Sequence, residues 1–155
     1  MLTLRIDDLS GPEIAHLIEE HLEDMRRFSP RECVHALDLT GLRQPDVTLW
    51  TVWEASALAG CGALREISPL HGEIKSMRTA QAFRRRRVGK LMLDHILIEA
   101  RRRGYQGLYL ETGSQPEFEP ARQLYRTAGF AECPSFADYG EGPNSIFMSL
   151  SHDAA

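Results

Sequence analysis

The sequence predicts an α/β fold (α+β mixed): a central sheet, antiparallel at first and parallel at one crossover, with flanking helices. Three observations lead there. Three strand-like runs, Val47–Trp53, Leu58–Ile67 and Glu73–Thr79, follow one another with only short turns between them, the pattern of an antiparallel meander. The next run, Val88–Arg103, carries the apolar period of a helix, and Leu108–Glu111 after it alternates like a strand. A strand, a helix and a strand in that order imply a parallel pair joined by a crossover.

Each element has its local reason. Leu2, Leu4 and Ile6 alternate with Thr3, Arg5 and Asp7, so Thr3–Asp7 reads as an opening strand. Ser10 looks like a helix cap, with Pro12 in the first turn and Glu13 at the third position. Ile14, Leu17, Ile18, Leu22 and Met25 recur at helical spacing through Phe28, and Ser29-Pro30 stops the helix. A short second helix is expected over Glu32–Leu39, then a loop over Thr40–Pro45. Glu54–Ala57 and Ser68–Gly72 are the turns of the meander. In the long helix, Leu93, Ile96, Leu97 and Ala100 form one apolar stripe, Arg101–Arg103 suit the C-terminal dipole, and Gly104 supplies the terminating residue. Glu119–Ala128 reads as a last helix ended by Gly129. Phe130–Glu132 and Ser145–Leu150 read as closing strands.

At 155 residues the chain suits one compact domain, expected over 1–151 with a short tail at 152–155. With 43% apolar and 26% charged residues it has the composition of an ordinary globular protein. No apolar run reaches the length of a membrane span, and the N-terminus lacks a signal-like apolar core. Cys33, Cys61 and Cys133 are odd in number and far apart, so reduced thiols in a cytoplasm are expected, with Cys61 as a small buried hydrophobe. The six histidines are dispersed, and no metal site is expected.

The chemistry starts at the stretch AFRRRRVGK, Ala82 to Lys90. It falls between the end of a strand and the start of a helix. Such a turn presents free N–H groups and the positive end of the helix dipole, a natural site for a phosphate or pyrophosphate. Gly89 lets an anion approach the backbone closely, and arginines add charge-assisted contacts to phosphate oxygens.

Extended to Glu73–Gly113 and to PARQLYRTAGF, Pro120 to Phe130, the segment resembles the GCN5-related N-acetyltransferase (GNAT) superfamily. Its pyrophosphate loop has the form Gln/Arg-x-x-Gly-x-Gly/Ala. Arg84 and Gly89 match that form, and Arg87 stands where the family has glycine, which requires backbone angles that a Cβ accepts. The resemblance implies a GNAT-like acyl-CoA N-acyltransferase fold whose co-substrate, acetyl-CoA, lies between two splayed parallel strands, here Glu73–Thr79 and Leu108–Glu111. It implies that backbone groups of Met77, Arg78 and Thr79 meet the pantetheine arm and the acetyl carbonyl. The N–H groups of Arg84, Arg85, Arg86, Arg87, Val88, Gly89 and Lys90 would then hold the pyrophosphate.

Tyr125 matches the tyrosine that in many members protonates the departing thiolate, although its helical spacing from Ala121 and Ala128 also suits a core residue. The incoming ammonium must lose a proton first, and Glu73 and Glu111 are both candidates for the base. Phe118 occupies the place of an asparagine that often contacts the cofactor, and it is expected to cover the pantetheine or the cleft mouth. His35 and Glu32 fall in the region that shapes the acceptor site in this family, although a surface role is the expectation for both. Trp50 and Trp53 point to opposite faces of their strand and read as core.

The expected activity is therefore acetyl transfer from acetyl-CoA to a primary amine of a small molecule or peptide. Two other classes stay open: a CoA-binding regulatory module without catalysis, and a nucleic-acid-binding domain built on the basic run. A net charge of -4 and the lack of aromatic residues among the arginines count against the last. The expected partners are acetyl-CoA and the amine, with neither nucleic acid nor membrane. A homodimer is the form expected of any assembly.

Overall fold

The computed structural model describes residues 1–29, 35–137, 139–140 and 142–151. Among them the order is β1 (Leu2–Ile6), α1 (Pro12–Phe28), α2 (Leu39–Leu42), β2 (Val47–Glu54), β3 (Ala57–Ser68) and β4 (His71–Thr79). It continues with α3 (Val88–Arg102), β5 (Gly107–Gly113), α4 (Glu119–Thr127), β6 (Ala131–Cys133) and β7 (Ser145–Ser151). The strands form one sheet in the order β1-β2-β3-β4-β5-β7-β6. Every neighbouring pair is antiparallel except β4 and β5, which run parallel across the α3 crossover. No helix among the described residues is long and apolar enough to cross a membrane.

Each face of the sheet carries its own core. Ile14, Leu17, Ile18 and Leu22 of α1 cover Leu49, Cys61 and Ala63 on one side. Val88, Met92, Leu93 and Ile96 of α3 cover Leu64, Ile74, Leu108, Leu110 and Met148 on the other. Ala63 and Leu64 are adjacent in sequence and face opposite cores, as the strand period requires. Two glycines bring α3 close to the sheet. A Cβ on Gly60 would lie 2.7 Å from Val88 Cγ1, and one on Gly62 would lie 2.6 Å from Met92 Cγ.

The feature that makes a site is a bulge in β4. Cys61 pairs with Arg78 and Ala63 with Lys75, so β4 spends one residue more than β3 over this stretch. Ser76, inside the bulge, has a left-handed φ of 55°. Pairing of β4 with β5 runs from His71↔Gly107 to Ile74↔Leu110 and stops there. β5 continues to Gly113, now paired only with β7. Beyond Ile74 the two parallel strands part and leave a wedge between them.

Two expectations need correction. Ser10 does not cap α1: its side chain bonds Asp8, and Gly11 takes the cap position without a side-chain bond. The second helix, expected over Glu32–Leu39, does not form over the described part of that range. Residues 32–34 lie outside the described residues, His35–Asp38 are not helical, and one turn forms at Leu39–Leu42, mostly within the expected loop. The Asp38 carboxylate accepts the Gly41 N–H at 2.9 Å and starts the helix there.

The arginine run forms the turn into α3. Arg85 and Arg87 both have positive φ, 66° and 62°, and Arg87 caps α3 in the left-handed region. The bend that suits a glycine is therefore made by an arginine, at a cost of roughly 1–2 kcal/mol for the crowded Cβ. Arg87→Gly relieves that crowding and raises the entropy of the unfolded chain, which offsets part of the gain. The expected net effect is a stabilisation of up to about 1 kcal/mol, read as a higher urea midpoint. A lower midpoint would mean that the Arg87 side chain holds the turn together.

Candidate active site

The wedge opens into a cavity of about 130 Å³. Its walls are Glu73–Met77 of β4, Leu110–Gly113 of β5, His21 and Met25 of α1, Tyr125 of α4, and His35, Phe118 and Asn144 from the connections. Ser76 lines it, its buried hydroxyl without a hydrogen-bond partner among the described residues, and the Ser76 carbonyl accepts from Cys61 Sγ at 3.2 Å. Burial pushes the Cys61 thiol up to about 12, which keeps it protonated and unreactive. It is the buried small residue that the sequence suggests.

The residues expected to hold the pyrophosphate sit where the loop turns into α3. The first α3 bond runs from Leu91 N–H to Arg87 C=O, so the N–H groups of Val88, Gly89 and Lys90 have no acceptor within the helix. Val88 is buried and anchors the turn. The cations divide into two groups. Arg86 is salt-bridged to Glu54 at 2.5 Å and lies over the Phe83 ring, and Lys90 is paired with Asp94 at 2.7 Å. Arg84, Arg85 and Arg87 are exposed.

Of the three β4 residues expected at the cofactor, Met77 lines the cavity. Thr79 Oγ1 lies beneath Gly89, 3.8 Å from where a Cβ would stand. The Arg78 side chain turns to α1, with Nη1 2.8 Å from Asp24 and Nη2 3.7 Å from Glu20. Phe118 lies against the end of β5, so close to Gly113 that a Cβ there would fall 2.3 Å from its ring. Its edge also meets Phe28. Arg122, buried beside it, donates to the Gly113 and Gln115 carbonyls and to Glu119, which pins the turn from β5 into α4.

Tyr125 is 6% exposed and stacks edge-on against Phe130 while lining the cavity. Burial pushes its phenol above the usual range, so it keeps its proton. The same position serves the core and faces the cleft.

The two carboxylates differ. Glu73 is 1% exposed, and both its oxygens are engaged. It accepts from Arg65 Nη2 at 2.6 Å, Lys75 Nζ at 3.1 Å and the Tyr139 hydroxyl at 2.9 Å. Glu111 holds the ring of His35, with Nδ1 at 2.6 and 2.8 Å from its two oxygens. The His35 ring stacks on Tyr139 at 4.6 Å. Burial and the Glu73 charge together push the Tyr139 phenol up. The sequence reading missed Arg65, Lys75 and Tyr139. Glu73 and Lys75 at i and i+2 share one strand face, which is a local signal. Tyr139 is 64 residues from Lys75 in the chain and had none.

The order of elements, the splayed β4–β5 pair and the loop into α3 meet in one further observation: residues 14–130 match the family model described as the acetyltransferase (GNAT) family. The chain belongs to the GNAT family. It is 54% identical over 146 residues to the uncharacterised N-acetyltransferase YsnE of Bacillus subtilis, covering 94% of this chain and 97% of that one. A solved acyl-CoA N-acyltransferase fold from Klebsiella pneumoniae superposes with TM-score 0.80 at 26% identity, over 97% of both chains. A GNAT acetyltransferase from Elizabethkingia anophelis, solved with acetyl-CoA bound, shares the fold at TM-score 0.69 and 17% identity, over 97% of this chain and 98% of that one. This protein is thus a GNAT N-acetyltransferase. Among its described residues there is no group of three or more metal-ligating side chains.

His21 gives the GNAT cleft a pH dependence of stability. Burial first, and the neighbouring Arg78 second, lower it from 6.5 to about 4. Between those values the unfolded chain binds a proton that the folded one does not. The contribution is therefore fully present above pH 6.5 and is lost as pH falls toward 4, about 3 kcal/mol in all. Urea unfolding of wild type and His21→Gln at pH 7 and pH 4.5 should show wild type losing more stability on acidification than the variant. Equal losses would mean that His21 is charged when folded.

Proposed function

We propose that the protein transfers an acetyl group from acetyl-CoA to a primary amine of a small molecule or peptide by direct attack, with Tyr125 as general acid. The observation that carries this reading is the parting of β4 from β5 beside the Tyr125 phenol. The unpaired β4 edge from Lys75 to Thr79 offers backbone groups to an extended pantetheine arm. The free N–H groups of Val88, Gly89 and Lys90 suit the pyrophosphate, and the exposed Arg84, Arg85 and Arg87 suit its charge and that of a further phosphate. In this reading Phe118 walls the cleft where the pantetheine would pass.

The chemistry needs three services. A backbone N–H near the bulge, at Met77, would stabilise the tetrahedral oxyanion. The Tyr125 phenol would give its proton to the leaving sulfur; its burial keeps that proton in place until negative charge develops beside it. A base must take the ammonium proton, and the candidates are Glu73 and Glu111. Glu73 is held by two cations, whereas Glu111 meets His35, a group itself able to carry a proton. Acetyl-CoA as donor and the free thiols Cys61 and Cys133 favour a cytoplasmic setting.

The test is thiol release from acetyl-CoA with a panel of free amino acids, tyramine, spermidine and short peptides. Tyr125→Phe is expected to lower kcat about 10²-fold with acetyl-CoA affinity little changed. An unchanged kcat would remove Tyr125 from the acid role. CoA binding without thiol release from any amine would replace transfer by a binding role.

A further inference from the structure

We propose that His35 is the base that takes the acceptor's protons, and that Glu111 is the residue that positions it; this rests on the acetyl-transfer reading above. The argument begins with Glu73. Arg65, Lys75 and Tyr139 already occupy both of its oxygens. Protonating it would leave Lys75, 6% exposed, without its counter-charge. Glu73 therefore acts as an anchor for the wall of the cleft. Glu111 has a different arrangement. Both of its oxygens converge on one atom, His35 Nδ1.

The tautomer follows. An ionised carboxylate only accepts, so the hydrogen between the two groups belongs to Nδ1. In the neutral imidazole the lone pair then sits on Nε2, the nitrogen a general base uses. The ring is held on two sides, by Glu111 in its plane and by Tyr139 across its face. Tyr139 is in turn fixed by its bonds to Glu73 and Lys75. Among the described residues, the charged and titratable groups that touch His35 or line its cavity are Glu111 from β5, Tyr139 from the β6–β7 connection, Glu73 and Lys75 from β4 and His21 from α1. His35 is 28% exposed and Glu111 11%. The histidine thus lines the cavity and still reaches water, as a group that must release protons each cycle requires.

The steps balance as follows. The ammonium gives one proton to His35 Nε2, which passes it to solvent. The freed lone pair attacks the thioester carbon; the C–N bond forms and the carbonyl π pair moves to oxygen. On collapse the C–S bond breaks with its electron pair on sulfur, which takes the Tyr125 proton. The surplus proton on nitrogen goes to His35 Nε2, and through solvent a proton restores Tyr125. One ammonium and one acetyl-CoA give one amide, one free thiol and one proton.

Two measurements test this. Long-range ¹H–¹⁵N spectra of the free protein should show His35 protonated at Nδ1 and bare at Nε2 once neutral. Glu111→Ala, which removes the acceptor, should abolish that fixed pattern. A proton on Nε2 in the wild type would overturn the proposal whether or not any acceptor is known. In the acetyl-CoA assay with the amine panel, the wild-type kcat/KM should fall on the acid side. His35→Gln, which can still donate to Glu111, should lose that acid limb and about 10²-fold in kcat/KM, with an unchanged melting temperature. Added imidazole should restore part of the rate to His35→Ala. A full rate and unchanged limb in His35→Gln would overturn the base role. If the wild type acetylates no amine, the transfer reading fails by itself, and the spectra still decide the His35–Glu111 arrangement.

Discussion

The parting of β4 from β5 is the constraint on which the rest of the site depends. Two parallel strands hydrogen-bonded along their whole length leave no room between them and no backbone groups to offer. Here the extra residue at Ser76 turns β4 out of register, so that its contact with β3 continues while its contact with β5 ends at Ile74↔Leu110. β5 keeps its order because β7 holds it to Gly113. The opening is thus made by one strand bending away from a rigid neighbour. Tyr125, Glu73, Glu111 and Met77, scattered through the sequence, become neighbours of the same cavity.

The buried charges show how the cleft keeps its shape. A carboxylate as buried as Glu73 is stable in its charged form only with close partners, and two cations and a phenol supply them. Tyr139 links this cluster to the second carboxylate through the stacked His35 ring. A connection between β6 and β7 is thereby fastened to two strands at the centre of the sheet. This part of the cleft has a defined wall although one side of it is a loop.

Elements governed by local periodicity were legible in the sequence: the α1 and α3 stripes, the meander, the crossover and the arginine turn into α3. What was not legible depended on distant partners or on unusual backbone. The left-handed φ of Ser76 and Arg87 cannot be inferred from residues that seldom adopt it. The turn at Leu39–Leu42 starts where Asp38 caps Gly41, a local choice that apolar spacing does not announce. Of the site, the carboxylates and Tyr125 could be nominated from the pattern, but their roles could not be separated. That needed Arg65, Lys75, His35 and Tyr139 in place around them, and these pairings span up to 76 residues.

The two glycines of β3 have a consequence of their own. Because Gly60 and Gly62 carry no Cβ, Val88 and Met92 rest almost on the strand backbone. Val88 is also the first residue of α3, next to the loop of arginines. The helix therefore behaves as a rod clamped near one end, with the clamp beside the N–H groups it presents. Its aim is set from beneath, by the missing side chain on a strand that never enters the cleft. A methyl group added there would act as a lever, lifting the mouth of the arginine turn while leaving the chemistry of its residues intact.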